Sequence, residues 1–310
     1  MAVGLKESSL SDLLSSEDRS LSKLVSLLAD LAVMVQQRIP RELGFSEGVN
    51  VYGEKQLEMD VWSNELFTRK LLKSSLVRRV ASEEMEDVEE SRSGDYSVVL
   101  DPLDGSSNLK SNNLTGTIVG IYHDKPLPAK GRDLLAAMYF LYGPYLQLVL
   151  ALKDGVRLSA AAGRGTGANR FVSDGQIHKL PKPPGVYGIG GLRVKWTPTV
   201  RQFVESLEKR KLSLRYGGSF VGDYNQVLSK GGFFAYPELT DAPQGKYRLQ
   251  FESNPVGFIT EKAGGRASTG VGNILDVEPT SIVQRVPTYL GDPELVMEFQ
   301  SLYQTKRQPA

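Results

Sequence analysis

The chain has 310 residues, 40% of them hydrophobic, and carries 37 Lys and Arg against 36 Asp and Glu. That is enough apolar material for a large core, and it leaves no net basic field to draw the protein onto nucleic acid or an anionic membrane. The chain has no cysteine, which excludes disulfides, thiolate metal sites, a cysteine nucleophile and thiol redox control together.

The first twenty residues are Ser-rich but include Glu7, Asp12, Glu17 and Asp18. They fit neither a secretory signal nor an acid-poor transit peptide, so the expected location is cytoplasmic. Leu21, Leu24, Val25, Leu28, Leu31, Ala32 and Val35 follow helical spacing, with Ser20 as N-cap and Pro40 as stop. A second helix is predicted over 60–80, with Val61, Leu66, Leu71, Leu72 and Leu76 apolar and Arg78-Arg79 at its C-terminal end. The runs 96–100 and 117–122 are β-prone and flank a polar loop. Residues 134–152 are apolar, but Gly143-Pro144 and three tyrosines interrupt them, so they read as a hairpin and not as a membrane span. The Gly/Ala/Pro-rich stretch 159–191 marks a boundary between two packed halves or a long surface loop. Thr197-Pro198 and Asp292-Pro293 each set a capping residue before a first-turn proline, and Asn254-Pro255 opens a helix that Gly264-Gly265 ends. Helices alternating with strands predict a layered α/β or α+β fold.

The most informative segment is Asp101-Pro102-Leu103-Asp104-Gly105-Ser106-Ser107-Asn108. Pro102 biases Asp101 away from helical geometry, so two carboxylates and the Leu103 carbonyl can face one point at the exit of a strand. All-oxygen ligation suits Mg²⁺ or Mn²⁺, and Gly105-Ser106-Ser107 offers backbone N–H groups to a phosphate at a helix start. The alternative is an Asx-type turn. Upstream, Ser82-Glu83-Glu84 adds carboxylates at a second strand-to-loop transition; alone it reads as a solvated acidic loop, as do Glu86, Asp87, Glu89 and Glu90.

These motifs make the chain resemble class I fructose-1,6-bisphosphatase, within the lithium-sensitive, metal-dependent sugar phosphatase superfamily that also contains inositol monophosphatases. The resemblance runs through 53–64 (GEKQLEMDVWSN), Ser82-Glu83-Glu84, DPLDGSSN, 116–122 (GTIVGIY), 215–223 (RYGGSFVGD), 245–269 (GKYRLQFESNPVGFITEKAGGRAST) and 275–290. It implies an αβαβα sandwich of two closely packed halves, 1–180 with the metal-binding carboxylates and 181–310 with the sugar-phosphate-binding residues. The implied activity is release of the 1-phosphate of fructose 1,6-bisphosphate by a metal-activated water, in gluconeogenesis or carbon fixation.

By position, the resemblance assigns two or more Mg²⁺ (or Mn²⁺) ions to Glu83, Glu84, Asp101, Asp104, Glu252 and the Leu103 carbonyl, with Glu54 in place of the family's aspartate. Asp60 and Glu84 match the pair that orients and deprotonates the attacking water, in a loop around Asp60 that moves to admit metal. Asp104, Gly105, Ser106, Ser107 and Asn108 would hold the phosphate that leaves. Arg193, Arg215, Tyr216, Tyr236, Lys246 and Arg248 would hold the sugar and the other phosphate, with Arg215 reaching the neighbouring site of a homotetramer. Neither His123 nor His178 falls in a block that makes it a base.

Five positions depart from the pattern: Gly190 stands for an asparagine, Arg193 for a tyrosine, Asp95 for a lysine associated with AMP inhibition, and Lys110 and Asp241 reverse the usual charges. Weak or absent AMP inhibition is expected. The altered distal positions keep a sedoheptulose-1,7-bisphosphatase or dual-substrate enzyme as the alternative, and a degenerate sugar-phosphate-binding protein is the non-enzymatic one.

Overall fold

A computed structural model describes residues 8–41, 45–49, 55–162 and 170–305. In chain order its elements are β1 (Ser8–Ser9), α1 (Leu10–Leu13), α2 (Arg19–Arg38), β2 (Phe45–Val49), β3 (Lys55–Leu57), α3 (Glu58–Lys73), β4 (Val77–Ser82), β5 (Glu89–Glu90), β6 (Tyr96–Asp104), β7 (Thr115–His123), β8 (Leu134–Tyr142), β9 (Leu146–Leu152), β10 (Gly155–Ala161) and β11 (Phe171–Ser173). There follow β12 (Val186–Ile189), α4 (Pro198–Lys209), β13 (Ser213–Leu214), α5 (Phe220–Lys230), β14 (Gly232–Tyr236), α6 (Asn254–Lys262), β15 (Arg266–Ser268), β16 (Thr288–Gly291) and α7 (Pro293–Thr305).

Two sheets carry the fold. The larger has the order β1-β11-β10-β9-β8-β7-β6-β4-β5 and is antiparallel except where β4 runs parallel to β6; the smaller has the order β13-β12-β14-β16-β15. Side chains alternate between the two faces of each strand. Val98 and Leu100 join one apolar cluster with Leu24, Leu28 and Leu31 of α2 and Phe67 of α3, while Val99 between them joins a second cluster with Val227 of α5, Val256 of α6 and Phe234 of the small sheet. Phe233 faces the other way, into a third cluster with Phe203 of α4 and Phe299 of α7. The layers are therefore helix, sheet, helix, sheet, helix, the αβαβα arrangement that the resemblance implied. The middle cluster is built from both ends of the chain, so the two sheets share one core.

Most predicted elements stand where the pattern set them. The apolar stripe of α2 is buried, the 134–152 hairpin is β8 and β9, and α4 starts at Thr197-Pro198 with the threonine side chain capping Val200 N–H. The N-cap of α2 is Asp18 and not Ser20: its Oδ1 accepts from Ser20 N (2.8 Å) and Leu21 N (3.3 Å), and a carboxylate is the stronger acceptor at a helix N-terminus. The second helix is also shorter than predicted. It ends at Lys73, Ser75 takes a positive φ of 58°, and Val77–Ser82 forms β4, paired with β6. The β-branched Val77 and Val80 gain a buried place in the sheet that the helix would not give them, and Arg79 meets Glu90 at 3.1 Å at the sheet edge. Of the glycines expected between the halves, Gly163, Gly165 and Gly167 lie outside the described residues. Among the described residues no helix is long and apolar enough to cross a membrane.

Candidate active site

β6 is buried along its whole length, and its end is irregular for a chemical reason. Pro102 has no N–H for the ladder, and the pairing with β7 shifts register between Asp101, opposite Ile118, and Asp104, opposite Gly116. Thr117 Oγ1 donates to the Pro102 carbonyl (2.8 Å) and Leu103 N to Asp101 Oδ1 (3.0 Å). The bulged segment thereby turns both aspartates to one side. The parallel neighbour β4 ends level with it, so Glu83 and Glu84 emerge beside Asp101. Glu252 comes from the far half on a wide π turn, Leu249–Ser253, that leads into α6; Arg248 N donates across that turn to its Oε2 at 2.6 Å.

The result is a cavity of about 220 Å³ lined by Asp60, Glu83, Glu84, Asp101, Leu103, Asp104, Gly105, Ser106, Ser107, Gly218, Phe220, Lys246, Tyr247 and Glu252. Oxygens of Glu83, Asp101 and Glu252 lie within 4.8 Å of one another. Burial holds the Asp101 carboxyl well above the usual carboxylate range, and repulsion from Asp104 and Glu252 adds to it. Burial likewise lifts Glu252 to about 7, against the pull of the Arg248 N–H and charge. Two buried carboxylates, Asp101 and Glu252, and the half-buried Glu83 beside them form a close-set oxygen site that a hard divalent cation completes, so the residues present fit the metal that the sequence implies.

Asp104 is held differently. Its Oδ2 accepts from Ser219 Oγ (2.7 Å) and Val221 N (2.9 Å), its Oδ1 from Phe220 N (3.1 Å). The carboxylate thus sits on the N-terminus of α5, where N–H groups and the helix dipole oppose the upward push of burial. Gly105 follows with φ 71°, and a Cβ there would fall 2.6 Å from that of Ser219; no other residue type allows this turn to lie so close to α5. Ser106 and Ser107 then open a short 3₁₀ turn, Ser106–Ser111.

Asp60 stands in the first turn of α3, where the predicted second helix begins, and is 5% exposed. Glu54 lies outside the described residues. Arg248 is buried at 3% exposure and pairs through Nη1 with Glu83 Oε1. Lys246 lines the cavity with its ammonium 5.6 Å from the Tyr236 ring centroid, and Tyr247, behind it, stacks on Phe220 at 4.1 Å.

Asn108, Arg193, Arg215, Tyr216 and Tyr236, all expected at the site, do not line this cavity. Asn108 spends both amide donors on backbone, on the Leu114 and Gly217 carbonyls at 3.0 Å each. Arg193 lies beside Glu205 (3.8 Å) and over Trp196, against α4. Arg215 is exposed, with Nη1 on the Leu214 carbonyl at 2.8 Å. Tyr216 and Tyr236 meet at Gly190, and the charges of Asp223 and Asp104 reach the Tyr216 hydroxyl. His178 bonds the Leu228 carbonyl and His123 packs edge-on to Tyr96, so neither is a base for this site. Asp241, the reversed charge, pairs with Lys195 at 2.5 Å.

Two contributors escaped the sequence reading. One is Ser219, which is cap and donor to Asp104 at once. The other is Asp223, whose carboxylate accepts the Gly217 and Gly218 N–H groups (2.5 and 2.9 Å); burial raises it to about 6. The signal for both was a serine placed four residues before an aspartate at the head of an amphipathic stretch.

With this geometry in place, comparison with known proteins gives a consistent result. Residues 7–161 match the family described as Fructose-1-6-bisphosphatase, N-terminal domain, and 180–304 match Fructose-1-6-bisphosphatase, C-terminal domain. A protein named Fructose-1,6-bisphosphatase class 1 from Halobacterium salinarum is 44% identical over 271 residues, 87% of this chain and 92% of its own length. Among solved structures, Leishmania major fructose-1,6-bisphosphatase in holo form superposes with a TM-score of 0.89 at 30% identity, covering 96% of this chain and 99% of that one. A putative sedoheptulose-1,7 bisphosphatase from Toxoplasma gondii gives 0.86 at 25% identity over the same shares.

Proposed function

The chain belongs to the fructose-1,6-bisphosphatase family, and from that premise we infer that it hydrolyses the 1-phosphate of D-fructose 1,6-bisphosphate to give fructose 6-phosphate and phosphate. The observation that carries the reading is the close-set trio of Glu83, Asp101 and Glu252, which shares one cavity with Gly105, Ser106, Ser107 and a lysine, Lys246. Magnesium, or manganese, held by Glu83, Glu84, Asp101, Asp104, Glu252 and the Leu103 carbonyl, with Glu54 as a further ligand, would supply a water acidic enough to attack at neutral pH and neutralise charge on the phosphoryl oxygens.

The chain's own residues supply the rest. Asp60 and Glu84 orient the attacking water and take its proton, as acceptors on opposite elements, α3 and the end of β4. Gly105, Ser106 and Ser107 give N–H and hydroxyl donors to the phosphate being released. Lys246, Tyr216 and Tyr236 hold the distal end of the sugar phosphate, with Arg248 anchoring Glu83 from behind. Arg215, exposed in the single chain, reaches the neighbouring site of a homotetramer, and the enzyme works in the cytoplasm. Arg193 and Asn108 keep their assignment to substrate only if they leave their present partners, and the hydrogen bonds of Asn108 favour a role in joining the loops around Leu114 and Gly217.

The test is phosphate release from fructose 1,6-bisphosphate and from sedoheptulose 1,7-bisphosphate, each with Mg²⁺ and with chelator. Metal-dependent release from the six-carbon ester is the expected result. Preference for the seven-carbon ester assigns the second reading, which the likeness to the Toxoplasma gondii protein supports. Release from neither overturns the reading.

A further inference from the structure

The backbone at Gly190 continues β12 and is fixed on both sides. Its N–H donates to the Ala235 carbonyl (2.9 Å) and its carbonyl accepts the Trp196 indole N–H (2.9 Å). Gly190 does not have a positive φ, unlike its neighbour Gly191 at 81°, so any residue type satisfies its conformation. What no other residue satisfies is the space. A Cβ at 190 would stand 2.2 Å from Tyr236 Cδ2, 2.4 Å from Cε2 and 2.8 Å from the Tyr216 hydroxyl oxygen. Carbon atoms settle at about 3.5–4.0 Å, so the ring edge occupies the volume of the missing side chain and would have to move by more than about 1 Å to admit one.

The Tyr236 ring is not free to move without consequence. It meets Tyr247 edge-on at 5.1 Å between centroids, and the Lys246 ammonium lies 5.6 Å from its own centroid. Both neighbours line the acidic cavity. A ring displaced from Gly190 therefore passes its displacement to the wall that faces the carboxylates, and packed interiors transmit such shifts with little loss.

We propose that Gly190 is a specificity-determining position that acts through Tyr236: the absent side chain seats the ring, and the seated ring sets where Lys246 and Tyr247 meet the non-reacting end of a bisphosphorylated sugar. The role is a positioning one, since Gly190 offers no side chain to the substrate. This rests on the bisphosphatase reading above and names the residue that tunes its distal end.

The experiment is a double-mutant cycle of Gly190→Ala and Tyr236→Leu, assayed with fructose 1,6-bisphosphate and with fructose 1-phosphate, which lacks the far phosphate. Overpacking of this kind is expected to raise KM for the bisphosphate about tenfold in Gly190→Ala with kcat nearly unchanged, to leave the monophosphate nearly unaffected, and to cost almost nothing further in the Tyr236→Leu background, where the ring is gone. Thermal unfolding of all four proteins keeps the cycle readable: a Gly190→Ala protein that misfolds should be rescued by Tyr236→Leu. An equal Gly190→Ala penalty in both backgrounds, an effect on kcat, or an equal loss on both substrates overturns the assignment. Wild-type protein that releases phosphate from neither ester overturns the functional reading, and the assignment falls with it.

Discussion

Replacing Asp101 by Asn should have opposite effects on the two states of the protein, and the sign is fixed by geometry. Asp101, Glu83 and Glu252 bring carboxylate oxygens within 4.8 Å of one another. At an effective dielectric of about 20, each fully ionised pair at that distance repels by about 3 kcal/mol. Arg248 offsets part of this load at Glu83; without a bound cation the wild-type protein carries the rest, increasingly as pH rises. Glu252 has a folded pKa of about 7 against an ordinary value of 4.5, and Asp101 is raised in the same direction. Between those values the native state binds more protons than the unfolded chain, so stability falls with rising pH through that window. Asp101→Asn removes two of the three repulsions, and its amide oxygen still accepts from Leu103 N. In chelator above pH 7 the variant should melt a few degrees higher than wild type. With Mg²⁺ the order should reverse, because wild type gains from binding and the variant gains little. Phosphate release should drop by about 10³-fold, the loss of several kcal/mol of charge stabilisation. Thermal scans in chelator and in Mg²⁺, beside a phosphate-release assay, decide it. A variant that melts below wild type in chelator and gains the same increment from Mg²⁺ would refute the view of Asp101 as a member of a frustrated, cation-seeking trio.

Ser219→Ala should cost about 1–3 kcal/mol in urea unfolding, because it strips a 2.7 Å donor from the buried Asp104 carboxylate; an unchanged midpoint would show that the two backbone N–H groups suffice. Gly105→Ala meets both a positive φ of 71° and a contact at 2.6 Å, and should lose about 1–3 kcal/mol together with most turnover, read by the same unfolding curve and by phosphate release. Asp223, raised from 3.8 to about 6 by burial, makes metal-free wild type lose stability as pH climbs from 3.8 to 6, and Asp223→Asn should flatten that part of the curve in urea titrations at stepped pH. Asp95 is exposed at the turn before β6, where an acidic group repels a nucleotide phosphate, so AMP at millimolar concentration should leave turnover unchanged; a potent inhibition curve would reject this.

Much of the site was legible because its chemistry is packed into short segments. Pro102 after Asp101 pointed to a non-helical strand exit where Asp101 and Asp104 can face one point, and Thr197-Pro198 and Asp292-Pro293 forecast helix starts whose capping bonds form as expected. Where the reading failed, a long-range partner decided. Helical spacing through Leu71 and Leu76 extended α3 to residue 80, yet β6 recruits Val77–Ser82 as a parallel neighbour, and no local pattern reports that offer. Side-chain destination was likewise hidden. Asn108 and Arg193 carry the right groups for a phosphate, but their nearest acceptors are the Gly217 carbonyl and Glu205. The gain of Asp223 as a loop anchor is the converse: a residue without apparent task that folding brings under two glycine N–H groups.

The shared middle core has a consequence for how the protein comes into being. Glu83 and Asp101 stand on the large sheet, while Glu252 arrives on the turn before α6, whose Val256 closes the cluster common to both sheets. On the ribosome the first two carboxylates emerge long before the third, and the strands that bear them lack half their covering until the last quarter of the chain is made. The third carboxylate of the trio is thus supplied only once the last quarter of the chain has been made, and the site is completed by the same turn that closes the shared core.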